Sequence, residues 1–144
     1  MTTVRDATAS DADDIYRLLS GFVTSYRPDR EVFDDATFPR IIEAASDGSA
    51  EFLVAEQDSC VVGYLLALRM PTLFAGGTIL ALLELTVAEP LRGRGTGSAL
   101  IRAVQAKAQE AKDVEVTVPT RRAAGFYRAL GFHETAVHLT WSTT

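Results

Sequence analysis

The stretch Ile79–Ala111, ILALLELTVAEPLRGRGTGSALIRAVQAKAQEA, decides how the rest of the chain is read. It opens with the apolar run ILALLELTV, passes through the turn AEPLRGRGTG, and continues as SALIRAVQAKAQEA. A buried strand thus delivers the chain into a glycine-rich turn at a helix N-terminus. Gly93, Gly95 and Gly97 let the backbone curl tightly and bring bare N–H groups close to a ligand. The first N–H groups of a helix lack intrahelical partners, and the aligned peptide dipoles add partial positive charge there. Such a turn is an anion site, with phosphate the usual anion. Arg92 and Arg94 add full charges suited to phosphate oxygens.

Two phosphate-binding patterns fail on the letters. A Walker loop needs GxxxxGK[ST], and no lysine follows these glycines. A dinucleotide fingerprint needs GxGxxG or GxGxxA; counting from Gly93 the third position is Ser98, and from Gly95 it is Leu100. The pattern present is Arg-x-x-Gly-x-Gly, at Arg92, Gly95 and Gly97, after a strand ending Leu85-Thr86-Val87 and with Pro90 in the turn. The segment LTVAEPLRGRGTGSAL resembles the pyrophosphate-binding motif of the GNAT superfamily of acyl-CoA-dependent N-acetyltransferases. A second segment, TVPTRRAAGFYRALGF from Thr117 to Phe132, is similar to that family's Asn-x-x-Ala-x-x-Phe-Tyr-x-x-x-Gly-Phe pattern. Ala123, Phe126, Tyr127, Gly131 and Phe132 match it. Thr120 stands where many members carry asparagine, which removes an amide that often touches the cofactor chain.

The resemblance implies acetyl-CoA as cosubstrate. Its contacts would come from Leu85, Thr86, Val87, Arg92, Gly93, Arg94, Gly95, Thr96, Gly97, Ser98, Ala123, Phe126 and Tyr127. It further implies a splayed central strand whose N–H, at Val87 or its neighbour, holds the acetyl carbonyl, and Tyr127 as the acid for the leaving thiolate. The alternative for Tyr127 is a half-buried aromatic whose hydroxyl bonds to backbone. Glu84 is the candidate base. A carboxylate in an apolar strand is costly unless it serves or is paired, so the alternatives are a solvent edge or an arginine partner. His133 and His138, far from both motifs, read as structural. The acceptor site is expected at Tyr26–Asp35 and Pro71–Gly77. There Asp29, Glu31, Asp34 and Asp35 either hold a cationic amine or are simply solvated.

The chain has 144 residues, which suits a single domain over 1–144 with a real core. Hydrophobic content of 47% and charged content of 23% are ordinary for a globular protein. The net charge of −5 speaks against a nucleic-acid partner. Against that balance, Arg92, Arg94, Arg102, Lys107 and Lys112 form a basic segment with only Glu110 to offset them, which fits a small anionic ligand. Cys60, the only cysteine, excludes an intrachain disulfide and a cysteine metal cluster, and reads as a small core residue. No metal is expected. The absence of a signal-like N-terminus or a membrane-length apolar run leads to the expectation of a cytoplasmic protein without a membrane partner. A homodimer is left open.

The remaining elements follow from periodicity and turn residues. Thr2–Ala7 reads as a strand. Ser10 caps a helix whose apolar face is Ile15, Leu18, Leu19 and Phe22. Tyr26–Glu31 reads as a loop, and a second helix spans about Asp34–Ala45 with Ile41, Ile42 and Ala45 inward and Pro39 disturbing its first half. Glu51–Gln57 and Cys60–Met70 form a hairpin about Asp58-Ser59. Thr78–Val87 is a central strand buried on both faces. The helix from about Gly95 to Ala111 turns Leu100, Val104, Ala108 and Ala111 to one side. Val114–Val118 is a strand, a short helix ends at Leu130 with Gly131, and His133–Trp141 is a last strand. The fold class is therefore α/β with a mixed central sheet and helices on both faces, in agreement with the GNAT-like fold that the resemblance implies. The leading function is acetyl transfer to the primary amine of a small molecule, by direct attack in a ternary complex. The alternatives are a non-catalytic acyl-CoA sensor and a protein N-terminal or lysine acetyltransferase.

Overall fold

The computed structural model describes residues 2–21 and 26–143; the expected inward position of Phe22 lies outside them. Five strands form one sheet in the order β1-β2-β3-β4-β5: β1 Thr2–Asp6, β2 Ala50–Gln57, β3 Cys60–Pro71, β4 Thr78–Val87 and β5 Glu115–Thr117. The first three pairings are antiparallel and β4–β5 is parallel, the consequence of the helical crossover between them. The β2–β3 hairpin closes on Asp58 and Ser59, with φ of 52° and 63°. Two consecutive left-handed residues give the turn whose twist matches paired strands.

Two apolar clusters lie on opposite faces of the sheet. On one, α1 (Ala12–Ser20) and α3 (Phe38–Ser46) cover Phe52, Val54, Tyr64 and Leu66 with Ile15, Leu18 and Phe38. On the other, α4 (Thr96–Ala111) and α5 (Ala124–Ala129) cover Leu53, Leu65, Leu80 and Leu82 with Leu100, Ile101, Val104 and Tyr127. Ile101 joins the inward face of α4, while Ala111, expected inward, is exposed in the last turn.

The helix expected from Asp34 begins earlier. Asp29 accepts from the N–H groups of Glu31 and Val32 at 2.8 and 3.1 Å and so caps α2, Arg30–Val32. A π-helical turn, Phe33–Thr37, then joins α2 to α3. Pro39 has no N–H for the carbonyl four residues back, and the wide turn before it gives that carbonyl room. The first helix is entered through Thr8 rather than Ser10. Asp11 Oδ2 accepts from the Thr8 N–H at 2.7 Å, and Ser10 lies inside the short 3₁₀ turn Ala9–Asp11.

Three further expectations are corrected. Cys60 is exposed, because it closes the hairpin opposite Gln57 instead of entering the core. Residues 133–143 form no strand, and Val137, Leu139 and Trp141 stay exposed. β5 is only three residues long and Pro119 follows it without an N–H, so the sheet edge offers few ladder bonds to a sixth strand. Finally, β4 is not covered throughout. Leu83 is 48% exposed at a break in register, where Leu66 pairs with Glu84 but Ala67 pairs with Leu82.

Candidate active site

The glycine-rich turn opens α4 as its letters require. Gly93 and Gly95 have φ of 78° and 89°, a conformation that costs an L side chain strain, and Gly95 is the residue from which the helix starts. A cavity of about 370 Å³ lies over this turn, walled by Leu85 and Val87 of β4, Arg92, Gly97 and Ser98 of the turn, and Phe126 of α5. A Cβ built on Gly97 would sit 3.4 Å from the Phe126 ring and 3.9 Å from Val87. The bare glycine therefore leaves room between the helix start and α5. Arg92 Nε donates to the Val87 carbonyl at 3.1 Å, tying the turn to the end of β4.

β4 and β5 pair only over Ile79–Ala81. Beyond Ala81 the β5 side of β4 is open. The Ala88 N–H donates to the Val62 carbonyl at 2.8 Å. Alternation along an antiparallel ladder then turns the N–H and C=O of Leu85 and Val87 away from β3, toward that open side. Donors thus face the same cavity that the glycine turn floors.

On the opposite face, a second cavity of about 230 Å³ is bounded by α1, α2, the π turn, α3 and strands β2 to β4, with Glu84 in its wall. The Tyr64 hydroxyl donates to Glu84 Oε1 at 2.7 Å. Tyr64 is 2% exposed, and burial, followed by the neighbouring Glu84 carboxylate, pushes its phenol well above the ordinary range. The phenol therefore stays protonated and holds the carboxylate in one orientation. Among the described residues Glu84 has no arginine partner; it is half-buried, where β4 is no longer paired with β5.

The acetyltransferase (GNAT) family model matches residues 12–132. The chain belongs to the GNAT acetyltransferase family. Among solved structures, a transcriptional regulator from Bacillus halodurans C-125 has a TM-score of 0.86 at 24% identity, over 99% of both chains. Glucosamine-6-phosphate N-acetyltransferase from Arabidopsis thaliana has a TM-score of 0.84 at 16% identity, over 100% of this chain and 99% of that one. AAC(6')-Iy, in complex with the bisubstrate analogue CoA-S-monomethyl-acetylneamine, has a TM-score of 0.80 at 20% identity, over 100% and 99%. At such identities the likeness is one of fold. No curated protein matches the chain.

Within this GNAT fold the residues marked from sequence are not all brought to one cavity. Leu85, Val87, Arg92, Gly93, Gly95, Gly97, Ser98 and Phe126 surround the larger cavity. Thr86 is buried on the other face, paired across the ladder with Tyr64, and Thr96 is buried beneath the start of α4. Arg94 is exposed beside the cavity without walling it. Ala123 uses its N–H internally, donating to Thr120 Oγ1 at 3.0 Å. The hydroxyl of the threonine that replaces asparagine is thus engaged by the N-cap residue of α5.

Tyr127 is 7% exposed, with its ring edge-on to both Phe126 and Phe132. Its hydroxyl makes no hydrogen bond among the described residues, so the backbone-bonded alternative is not formed. Burial pushes its phenol up. Of the acidic residues considered for the acceptor, Asp29 is spent on capping α2 and Asp34 pairs with Arg30 at 2.9 Å, while Glu31 and Asp35 are exposed. Leu73 and Phe74, in the segment Pro71–Gly77, are exposed and lie outside the smaller cavity. The sequence reading missed Tyr64, whose tie to Glu84 spans twenty positions. Only the β3–β4 register reveals it. Among the described residues no group of histidine, cysteine or acidic side chains is arranged to hold a metal, and no helix is long and apolar enough to cross a membrane.

Proposed function

We propose that this chain transfers the acetyl group of acetyl-CoA to the primary amine of a small molecule, by direct attack within a ternary complex. The observation that carries the reading is the pair of cavities on opposite faces of β4. The larger is floored by helix-start N–H groups and Arg92, and the smaller is walled by Glu84. Leu85 and Val87 belong to the first and Glu84 to the second, so only the strand separates them, at the edge that β5 leaves open.

The residues present fit acetyl-CoA. The clustered N–H groups of Gly95, Thr96 and Gly97 suit a pyrophosphate, and Arg92 adds charge. The bare Gly97 keeps the passage past Phe126 clear for a pantetheine-like chain. When bound, acetyl-CoA supplies the activated thioester.

Three groups of the chain then have work. The outward N–H of Val87, or that of Leu85, donates to the acetyl carbonyl oxygen and stabilises negative charge developing there. Glu84 accepts a proton from the ammonium of the acceptor, directly or through one water, so that a neutral amine attacks. The Tyr127 hydroxyl, protonated at neutral pH as a phenol ordinarily is, gives its proton to the departing thiolate. The deciding experiment is acetyl-CoA-dependent thiol release with a panel of amines. Binding of acetyl-CoA without thiol release from any amine would favour the sensor alternative.

A further inference from the structure

We infer that the acceptor is a small amine carried on a hydrophobic, ring-sized body, bound in the cavity beside Glu84; the inference rests on the acetyltransferase reading above. The cavity wall is dominated by Phe33, Phe38, Phe52, Ile41 and Leu66. These side chains come from four separate elements and converge on one space, with Phe33 stacked on Phe38 at 5.0 Å and Phe38 edge-on to Phe52 at 5.9 Å. Buried apolar walls favour an apolar body and offer nothing to replace the water shed by hydroxyl groups.

The charged groups narrow the choice. Glu84 is the half-buried carboxylate of the wall. Asp29, the other, accepts from two backbone N–H groups of α2. One ammonium can therefore be matched at Glu84 inside the cavity, while a second would have to reach the other oxygen of the exposed Asp29. No lysine or arginine lines the cavity among the described residues, so a phosphate or carboxylate on the acceptor would have no partner there. Arg30, beside Asp29 in sequence, is held outside by Asp13 at 2.5 Å and Asp34 at 2.9 Å, with its guanidinium 4.9 Å from the Tyr16 ring centre.

Size agrees with this. A cavity of about 230 Å³ is smaller than the roughly 300–1,000 Å³ of sites that enclose drug-sized ligands. A phenyl ring on a short aminoalkyl chain fills that space. A disaccharide-sized aminoglycoside would have to extend out of it.

The test compares phenethylamine, glucosamine 6-phosphate and kanamycin as acceptors for the full chain with saturating acetyl-CoA, following thiol release. Burial of the ring favours phenethylamine by about 10–100-fold in kcat/KM. A Val32→Lys variant, changed at an exposed position of the cavity rim, should raise the KM for phenethylamine by about tenfold, the effect of a like charge placed beside an ammonium. The KM for acetyl-CoA should not change. Equal or better turnover of the sugar phosphate or the aminoglycoside overturns the inference and leaves the acetyltransferase reading standing. An unchanged phenethylamine KM in Val32→Lys also overturns it. If none of the three amines is acetylated although acetyl-CoA binds in a calorimetric titration, the inference fails together with the catalytic reading. If acetyl-CoA does not bind, the cofactor assignment fails first.

Discussion

Replacing Glu84 by glutamine removes its charge and its capacity to accept a proton while keeping its size. The amide is the same size and keeps a carbonyl oxygen to accept from the Tyr64 hydroxyl, so the 2.7 Å contact survives in kind. What weakens is its charge assistance. A hydrogen bond to a charged group is worth ~1.5–3 kcal/mol and a neutral one ~0.5–1.5, so the folded state should lose about 1 kcal/mol, or roughly 3–5 °C in Tm. The catalytic loss should be larger. An amine at neutral pH is mostly protonated, and glutamine cannot take its proton as a carboxylate does. A fall in kcat/KM of roughly 10–100-fold is expected, at the modest end for a general base because water substitutes in part. The assay is thiol release across pH, beside thermal melts of both proteins. The deficit should narrow at alkaline pH, where more of the amine is already neutral. A glutamine variant with the parent rate at neutral pH, or a deficit equal at every pH, would refute the argument and leave Glu84 as an anchor for Tyr64.

Three further outcomes are expected. Gly97→Val fills the space between α4 and Phe126 without demanding a left-handed backbone; calorimetry should show CoA affinity falling at least about tenfold, the scale of one lost charge-assisted bond, with the Tm nearly unchanged. Tyr127→Phe should lower kcat by about 10²–10⁴-fold with little change in the KM for acetyl-CoA, whereas an unaltered kcat would make the ring purely structural. The Arg5 guanidinium, which meets Asp11 at 2.9 Å, holds that buried carboxyl below the usual carboxylate range. Its stabilisation is then complete above the unfolded value of about 3.9 and is lost as pH falls through the lower folded value, so Asp11→Asn should cost ~1–3 kcal/mol in denaturant melts at pH 7 and much less at the acid end.

The parts of this fold that could be read from sequence are those in which local chemistry decides the conformation. Asp58-Ser59 sits between two alternating runs and forms the expected turn. Gly131 closes α5 with φ of 95°. The glycines after β4 start α4 as the anion-site reading requires. The misreadings share a cause, which is that pairing or capping was settled by residues elsewhere. Asp29 looked like a solvated loop charge, yet as a cap it begins a helix whose start was otherwise hidden by the π turn before Pro39. The tail from His133 to Trp141 alternates like a strand, but alternation specifies a face and not a partner, and β5 is too short to supply one. Arg69 passed unnoticed as part of a strand. It meets both Glu51 and Asp113 at 2.9 Å and so pins the end of β3 to the link between α4 and β5.

Glu84 shows why the candidate site was only half legible. The letters LALLELTV mark a carboxylate in a buried strand but not the face on which it emerges. In an uninterrupted strand Glu84 would share a face with Leu80 and Leu82, which pack under α4 against Leu100 and Val104. An unpaired carboxylate there would be among the costliest groups in the fold. The extra residue at Leu83 reverses the alternation. Leu85 and Val87 keep the α4 face and wall the larger cavity, while Glu84 emerges beside Tyr64 in the smaller one. A one-residue bulge thus does two things at once. It relieves the α4 core of a charge, and it divides a nearly continuous apolar run between two cavities on opposite faces. Both the base role proposed for Glu84 and the hydrophobic acceptor inferred beside it depend on that reversal, because without it no carboxylate would emerge beside Tyr64 among the aromatic walls of the smaller cavity.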